Sequence, residues 1–272
     1  MSNPIENMNN MATKHEYHGH EELFNAAWEK TNENYLIKGL KAGRKVEDLL
    51  AAMPGFKEAF SQKSLLDYPR CRFECSDGRV VTGEAKIALA GEGLLLEKED
   101  RKILEDALAG KNITISGHES CGAAAMAYPG PDSDRYGYEG AEKLTAKTGN
   151  TYKEIHHSEF RSQIHDERAL VLEGTLKFNC ANWTEFPPQF LSSAAALGLS
   201  DAYIGKEVRA LSGIALGDHG FGNRFNSEHP FYIIVCAKDS EQLSRLITIG
   251  QEAVKDFGDR VKVGGFVAPE KK

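Results

Sequence analysis

Two cysteine-bearing runs, each at the end of a short extended segment, constrain the fold more than anything else in the chain. The first is Cys75-Ser76-Asp77-Gly78-Arg79 and the second is Gly117-His118-Glu119-Ser120-Cys121-Gly122. Residues 72–74 extend into Cys75, and the β-branched run Ile113-Thr114-Ile115-Ser116 ends at Gly117. Adjacent parallel strands deliver their C-terminal ends to one edge of a sheet, where open α/β folds place ligand sites. Between the runs, residues 97–108 put Ile103, Leu104, Ala107 and Leu108 on one face and charges on the other, the pattern of an amphipathic crossover helix ended by Gly110. Strand, helix and strand make a right-handed βαβ unit that would set the two runs side by side. After His118, the small residues Gly122-Ala123-Ala124-Ala125 suit a closely packed helix with Cys121 in its first turn. Its dipole would favour a thiolate there.

Cys75, His118 and Cys121 supply two thiols and an imidazole. Zinc takes such ligands tetrahedrally, and a catalytic site keeps three protein ligands with the fourth position open to water. A closed structural site would need a fourth thiolate, for which Cys71 is the candidate. Four residues along a strand, at roughly 3.3 Å each, separate Cys71 from Cys75 too far to share one ion. A redox pair of those two thiols lacks the Cys-x-x-Cys spacing. Free cysteines are also common core residues, so the order of the ligands and their strand context carry the zinc reading.

The two runs resemble the signature of the β-class carbonic anhydrases, Cys-x-Asp-x-Arg followed by His-x-x-Cys-Gly, and the resemblance covers residues 69–127. It implies that Cys75, His118 and Cys121 bind Zn2+, with Asp77 and Arg79 as the catalytic pair beside it. Asp77 would accept a hydrogen bond from hydroxide held at zinc, or swing onto the metal and block that place, while Arg79 keeps it ionised and aimed. The implied activity is reversible hydration of carbon dioxide to bicarbonate. The implied assembly is a homodimer or higher homo-oligomer, with N-terminal helices packed across a partner subunit. Two departures concern the substrate: Gly78 stands where the family often has Ser, and residues 88–93 lack the polar side chains of relatives. A carbon disulfide or carbonyl sulfide hydrolase resembles the same family, and a non-catalytic zinc or bicarbonate-sensing protein is a further alternative.

The remaining sequence is expected to complete an α/β fold, a mostly parallel central sheet flanked by helices with an N-terminal helical arm. With 272 residues, 41% of them hydrophobic, the chain is large enough for a substantial core. Residues 1–20 read as a disordered tail and 21–60 as the arm, with helical patterns at 21–40 and 46–53 and a short helix at 56–61. Residues 61–272 form the zinc-binding domain, in which 128–272 is an elaborated extension without a visible internal repeat. Within it the patterns predict a loop and short helix at 134–149, a helix at 152–164, a strand or hairpin at 168–178 and a helix at 189–197. A strand at 230–237, a helix at 240–257 and a strand at 261–267 close the chain. Gly122, His156, His157 and the Asp218-His219 pair of a glycine-rich turn are the candidates for the pocket or a proton shuttle, because a histidine of near-neutral pKa can carry a proton to solvent.

The net charge of −7 argues against a nucleic-acid surface. No apolar run approaches a membrane span, and the first residues lack a signal pattern. The five cysteines have no disulfide-framework spacing, so a reducing, cytoplasmic setting is expected.

Overall fold

The computed structural model describes residues 21–80, 85–217 and 220–269. Its core is α/β and contains two four-stranded, all-parallel sheets. Strands β1 (Cys71–Cys75), β2 (Ala85–Leu89), β3 (Thr114–His118) and β4 (Thr151–Ile155) form the first, in the order β2-β1-β3-β4. Strands β5 (Ala169–Glu173), β6 (Gln189–Ser192), β7 (Phe231–Ala237) and β8 (Val261–Val267) form the second, in the order β6-β5-β7-β8. The middle strands of the second sheet, β5 and β7, are largely apolar runs buried on both faces, as parallel sheets covered by helices require, while β1 in the first sheet buries Glu74 beside Phe73.

The arm contains α1 (Glu21–Asn32), α2 (Tyr35–Lys41) and α3 (Val46–Ala52). Asn34 breaks the single helix expected at 21–40, because its side chain accepts from the Leu36 and Ile37 amides and starts α2. Leu36, Ile37, Leu49 and Leu50 bury against Val171, Ile234 and Phe266, so the arm covers the second sheet of its own chain. Residues 56–61 form turns rather than a helix, and Phe60 bridges antiparallel to Phe178.

Helix α4 (Lys98–Leu108) links β2 to β3, and α5 (Gly122–Ala127) with α6 (Ser133–Thr148) links β3 to β4. The second half repeats this plan: α7 (Asp201–Leu216) links β6 to β7, and α8 (Ser240–Val254) links β7 to β8. Residues 169–267 of the expected extension are therefore a second copy of the topology, a repeat not visible in the sequence, while residues 133–155 complete the first sheet.

Four local readings also change. Ser133–Thr148 form one long helix, and 151–155 are an edge strand on β3 rather than the start of a helix. Residues 189–192 pair with β5, although Phe190, Leu191 and the following alanines also fit a helical period. In both misread strands, pairing with a neighbour decides what a short ambiguous pattern becomes. The expected strand or hairpin at 168–178 is a single five-residue strand followed by a turn. Asp218, His219 and the tail at 1–20 lie outside the described residues. No helix among the described residues is long and apolar enough to cross a membrane.

The two sheets meet along β2 and β6. The Ser193 amide donates to the Ala88 carbonyl at 2.8 Å, the Ala88 amide to Ser193 Oγ at 3.2 Å, and the Leu191 amide to the Ser76 carbonyl at 3.0 Å. One apolar cluster runs from Phe73 and Ile115 of the first sheet to Leu170 and Ile233 of the second.

Candidate metal centre

Strands β1 and β3 are parallel neighbours, with Phe73 opposite Ile115. Their C-terminal ends therefore carry Cys75 and His118 to the same edge of the first sheet, as the βαβ argument requires. Cys121 follows a tight turn in which Ser120 takes φ 52°, and it caps α5. The ligand atoms of the three side chains lie within 4.8 Å of one another, and all three residues are buried. The two sulfurs are 3.8 Å apart as free thiols.

This group could hold a metal ion, and the wiring around it fits one. His118 Nδ1 lies 2.7 Å from the Glu119 carbonyl, which accepts its proton and leaves Nε2 as the free donor atom. Nε2 is buried and has no hydrogen-bond partner among the described residues. A buried ring nitrogen without a partner is costly unless an ion takes its lone pair. The Cys121 thiol donates to Cys75 and is the largest influence holding the Cys75 thiol well below its ordinary value, against burial and with help from His118. Burial pushes His118 down, but the Cys75 thiolate outweighs it and brings the ring up to about 10. A divalent cation binding there would displace the protons that these side chains carry. Cys71 is buried elsewhere on β1 and does not join the group.

Asp77 and Arg79 sit in the loop after β1 as a buried ion pair, Arg79 Nη2 to Asp77 Oδ2 at 2.7 Å and Nε to Oδ1 at 3.1 Å. The Arg79 amide also donates to Oδ1 at 2.9 Å. Burial pushes the Asp77 carboxyl up, while Arg79 and His165 together hold it well below the usual range. The lock points Asp77 to a second close group, with His165 and Glu167, whose ligand atoms also lie within 4.8 Å of one another. His165 Nδ1 is 3.2 Å from Glu167 Oε2 and 4.0 Å from Asp77 Oδ1.

The second half builds much of the wall. The Gln189 carbonyl and Glu167 Oε1 would lie 2.3 and 2.9 Å from a Cβ at Gly78. That close approach explains why glycine stands there. Gly122 faces Ile214 of α7, whose Cδ1 would lie 3.2 Å from an added Cβ. Glu207, also on α7, is buried and accepts from Ser76 Oγ, Ser192 Oγ and the Ala90 amide.

His156 and His157 are not in the pocket. Both are exposed and tied to Glu119, with the Phe160 ring edge-on between His157 at 4.9 Å and His118 at 5.7 Å. His165 and Glu167 are the titratable groups beside Asp77 that sequence reading missed, because they come from beyond residue 128.

Glu92 was missed too. It takes φ 52° between Gly91 at 56° and Gly93 at 84°, a left-handed run that only the flanking glycines make easy. The Gly91 amide donates to Cys75 Sγ at 3.3 Å. Both Glu92 carboxyl oxygens are buried and unpartnered among the described residues. Burial first, then the Cys75 charge, raises the Glu92 carboxyl well above the ordinary carboxylate range. The Gly-Glu-Gly sequence was the available signal, since glycines on both sides of an acid mark a forced backbone.

Comparison with protein-family models, curated proteins and solved structures finds no match to this chain.

Proposed function

We propose that the chain is a zinc-dependent carbonic anhydrase-like enzyme that reversibly hydrates carbon dioxide. The observation that carries the reading is the buried Cys75, His118 and Cys121 group, with Asp77 held off it by Arg79. Three ligands without a fourth match the donor set of a catalytic rather than a structural zinc site. Cys75, His118 and Cys121 would hold the zinc, whose chemistry there would be to lower the pKa of water to about 7 and so provide a nucleophile at neutral pH.

The protein's residues do the rest. Cys75 and Cys121 hold two negative charges on the ion, and the Glu119 carbonyl fixes the His118 ring with Nε2 forward. Asp77, kept ionised by Arg79, accepts the nucleophile's proton in a hydrogen bond and so orients its lone pair towards the carbon. The buried wall excludes bulk water and suits an apolar, uncharged substrate. His165, beside Asp77 and Glu167, takes the proton-relay place that His156 and His157 do not reach.

A second reading rests on Glu92. A buried carboxyl raised well above its ordinary range beside Cys75 could protonate a departing sulfur, which favours carbonyl sulfide or carbon disulfide as the substrate. The same ligands serve either reaction.

Stopped-flow carbon dioxide hydration by the zinc-loaded protein tests the proposal, run beside Cys121→Ser and Asp77→Asn. Turnover that Cys121→Ser abolishes and Asp77→Asn reduces by ~10- to 100-fold is the expected result, given what orienting groups contribute to catalysis. One zinc per chain without turnover on carbon dioxide would overturn it. Turnover on carbonyl sulfide alone would establish the second reading, and inertness towards both would leave a sensing role.

A further inference from the structure

The carboxylates around the loop after β1 each have a cation, with one exception. Asp77 pairs with Arg79 at 2.7 Å, Asp166 with Arg161 at 2.7 Å and Glu74 with Lys86 at 3.9 Å. Glu167, in the segment that leads into β5, has no lysine or arginine partner among the described residues; its Oε2 meets only the His165 ring, 3.2 Å from Nδ1. Its side chain is 1% exposed, and Oε1 has no hydrogen-bond partner among the described residues. A carboxylate buried in this way is costly unless a positive charge takes its lone pairs.

Its neighbours converge with it on one point. Asp77 Oδ1 lies 4.0 Å from His165 Nδ1, and the ligand atoms of Asp77, His165 and Glu167 all lie within 4.8 Å of one another. At about 2.1 Å from a metal, ligand atoms at right angles are about 3.0 Å apart and opposite ones about 4.2 Å, so separations of 3.2 and 4.0 Å already fit one coordination sphere. The two segments that carry these side chains are fastened together, because the Arg161 amide donates to the Arg79 carbonyl at 2.9 Å and Arg161 Nε to the Gly78 carbonyl at 3.3 Å. Arg79 does not exhaust Asp77: its amide and Nη2 take one oxygen each and Nε is shared between them, three donors against about four acceptor places.

We propose that Asp77, His165 and Glu167 form a second metal site, for a divalent cation of the manganese type. Two carboxylates and one imidazole suit such an ion, whereas the thiols of the Cys75 group select a softer one such as zinc. The ion stands between His165 Nδ1 and the two carboxylates and gives Glu167 the positive charge that no side chain supplies. Water completes its coordination and enters past His165, whose side chain is 11% exposed and is the least buried of the three. An ion held there takes Asp77 and His165 from their parts in hydration and so inhibits that reaction; this consequence rests on the hydrase reading, and the binding does not.

Manganese(II) titrated into zinc-loaded full-length protein tests this, with the free ion read from its electron paramagnetic resonance signal. The expected result is one manganese retained per chain with no zinc released. Glu167→Gln and His165→Gln should each weaken manganese affinity by at least ~10-fold, since even groups standing behind a ligand contribute that much. His165→Gln, at the edge of the site, decides the matter if Glu167→Gln fails to fold. His156→Gln, in the exposed cluster around Glu119, should leave the affinity unchanged. No uptake of manganese, release of zinc as manganese enters, an affinity unchanged in both Glu167→Gln and His165→Gln, or an equal loss in His156→Gln would overturn the site. Zinc is counted separately, so a chain that takes manganese with these variant effects but holds no zinc would sink the hydrase reading and leave this site standing.

Discussion

The two halves of the chain share one strand order and differ in what stands at the strand ends. β1 ends on Cys75 and β5 on Glu173, while β3 ends on His118 and β7 on Ala237. The helix after β3 is capped by Cys121 and the helix after β7 by Asp239. The second set is fully used within its own loops: Glu173 accepts from the Thr175 and Leu176 amides at 2.7 and 2.8 Å, and Asp239 from the Gln242 amide at 2.8 Å. A donor that already closes its own turn has nothing to offer an ion. The first half keeps its donors unspent, and the second half supplies the wall around them. One chain thus contains both sides of the wall around the three side chains, the second side coming from residues 165–214.

The largest test of that difference is the buried ion pair of Asp77 and Arg79, which has no counterpart at the matching place after β5 among the described residues. Lys177 stands two residues past Thr175, as Arg79 does past Asp77, but it is exposed. Removing one member of a buried pair costs about 3–5 kcal/mol, because the other charge is left without compensation. Arg79→Met should therefore lower stability by about that amount in urea melts, and Lys177→Met by less than about 0.5 kcal/mol. Equal effects would mean that the first loop is no more preorganised than the second.

Next in size is a dependence on pH. Counted from the N-caps Ser200 and Glu97, Glu207 of α7 occupies the place of Leu104 in α4, so a carboxyl is buried where the other half buries a leucine. Burial pushes Glu207 up to about 7, against the hydrogen bond from Ser192 and the Ala90 amide. The folded value lies above the unfolded one of about 4.3, so folding favours the protonated form. That contribution is complete below the unfolded value and is lost as pH rises through about 7, a swing of about 3 kcal/mol. Urea midpoints of the zinc-loaded protein across this window should fall with pH in the wild type and stay flatter in Glu207→Gln. A slope unchanged by the substitution would place the titrating group elsewhere.

The same contrast decides which features are legible in the sequence. The Cys75 and His118–Cys121 runs are local, and the strand before the second announces itself by the β-branched residues Ile113, Thr114 and Ile115, so the order of the amino acids is enough to bring the three side chains together. The crossover helix is legible as well, through the spacing of Leu104 and Leu108. The repeat is not, because Glu173, Ala237 and Asp239 share no side-chain chemistry with Cys75, His118 and Cys121. Topology resides in pairing register, such as Leu172 opposite Ser192, and four-residue strands leave little periodic trace. His165, Glu167 and Glu207 reach the centre across the junction of the halves, a contact that no spacing rule encodes.

The smallest expected effect probes that junction. Gly78 has ordinary room in its own loop, but an added Cβ would come within 2.3 Å of the Gln189 carbonyl, a backbone atom at the start of β6. A backbone carbonyl cannot rotate aside as a side chain would, so either the loop after β1 or β6 must shift. Overpacking of this kind costs about 1–3 kcal/mol. Gly78→Ala should lower the Tm accordingly and, because the shifted loop carries Asp77, reduce turnover more than zinc content. Gly205 of α7, whose added Cβ would meet only Ile249 at 3.6 Å, provides the matching substitution away from the junction, and Gly205→Ala should be neutral or slightly stabilising. If both substitutions proved equally harmless, the halves would be separable units whose contact at Gly78 is incidental, and the second half's place in the pocket would have to rest on His165 and Glu207 alone.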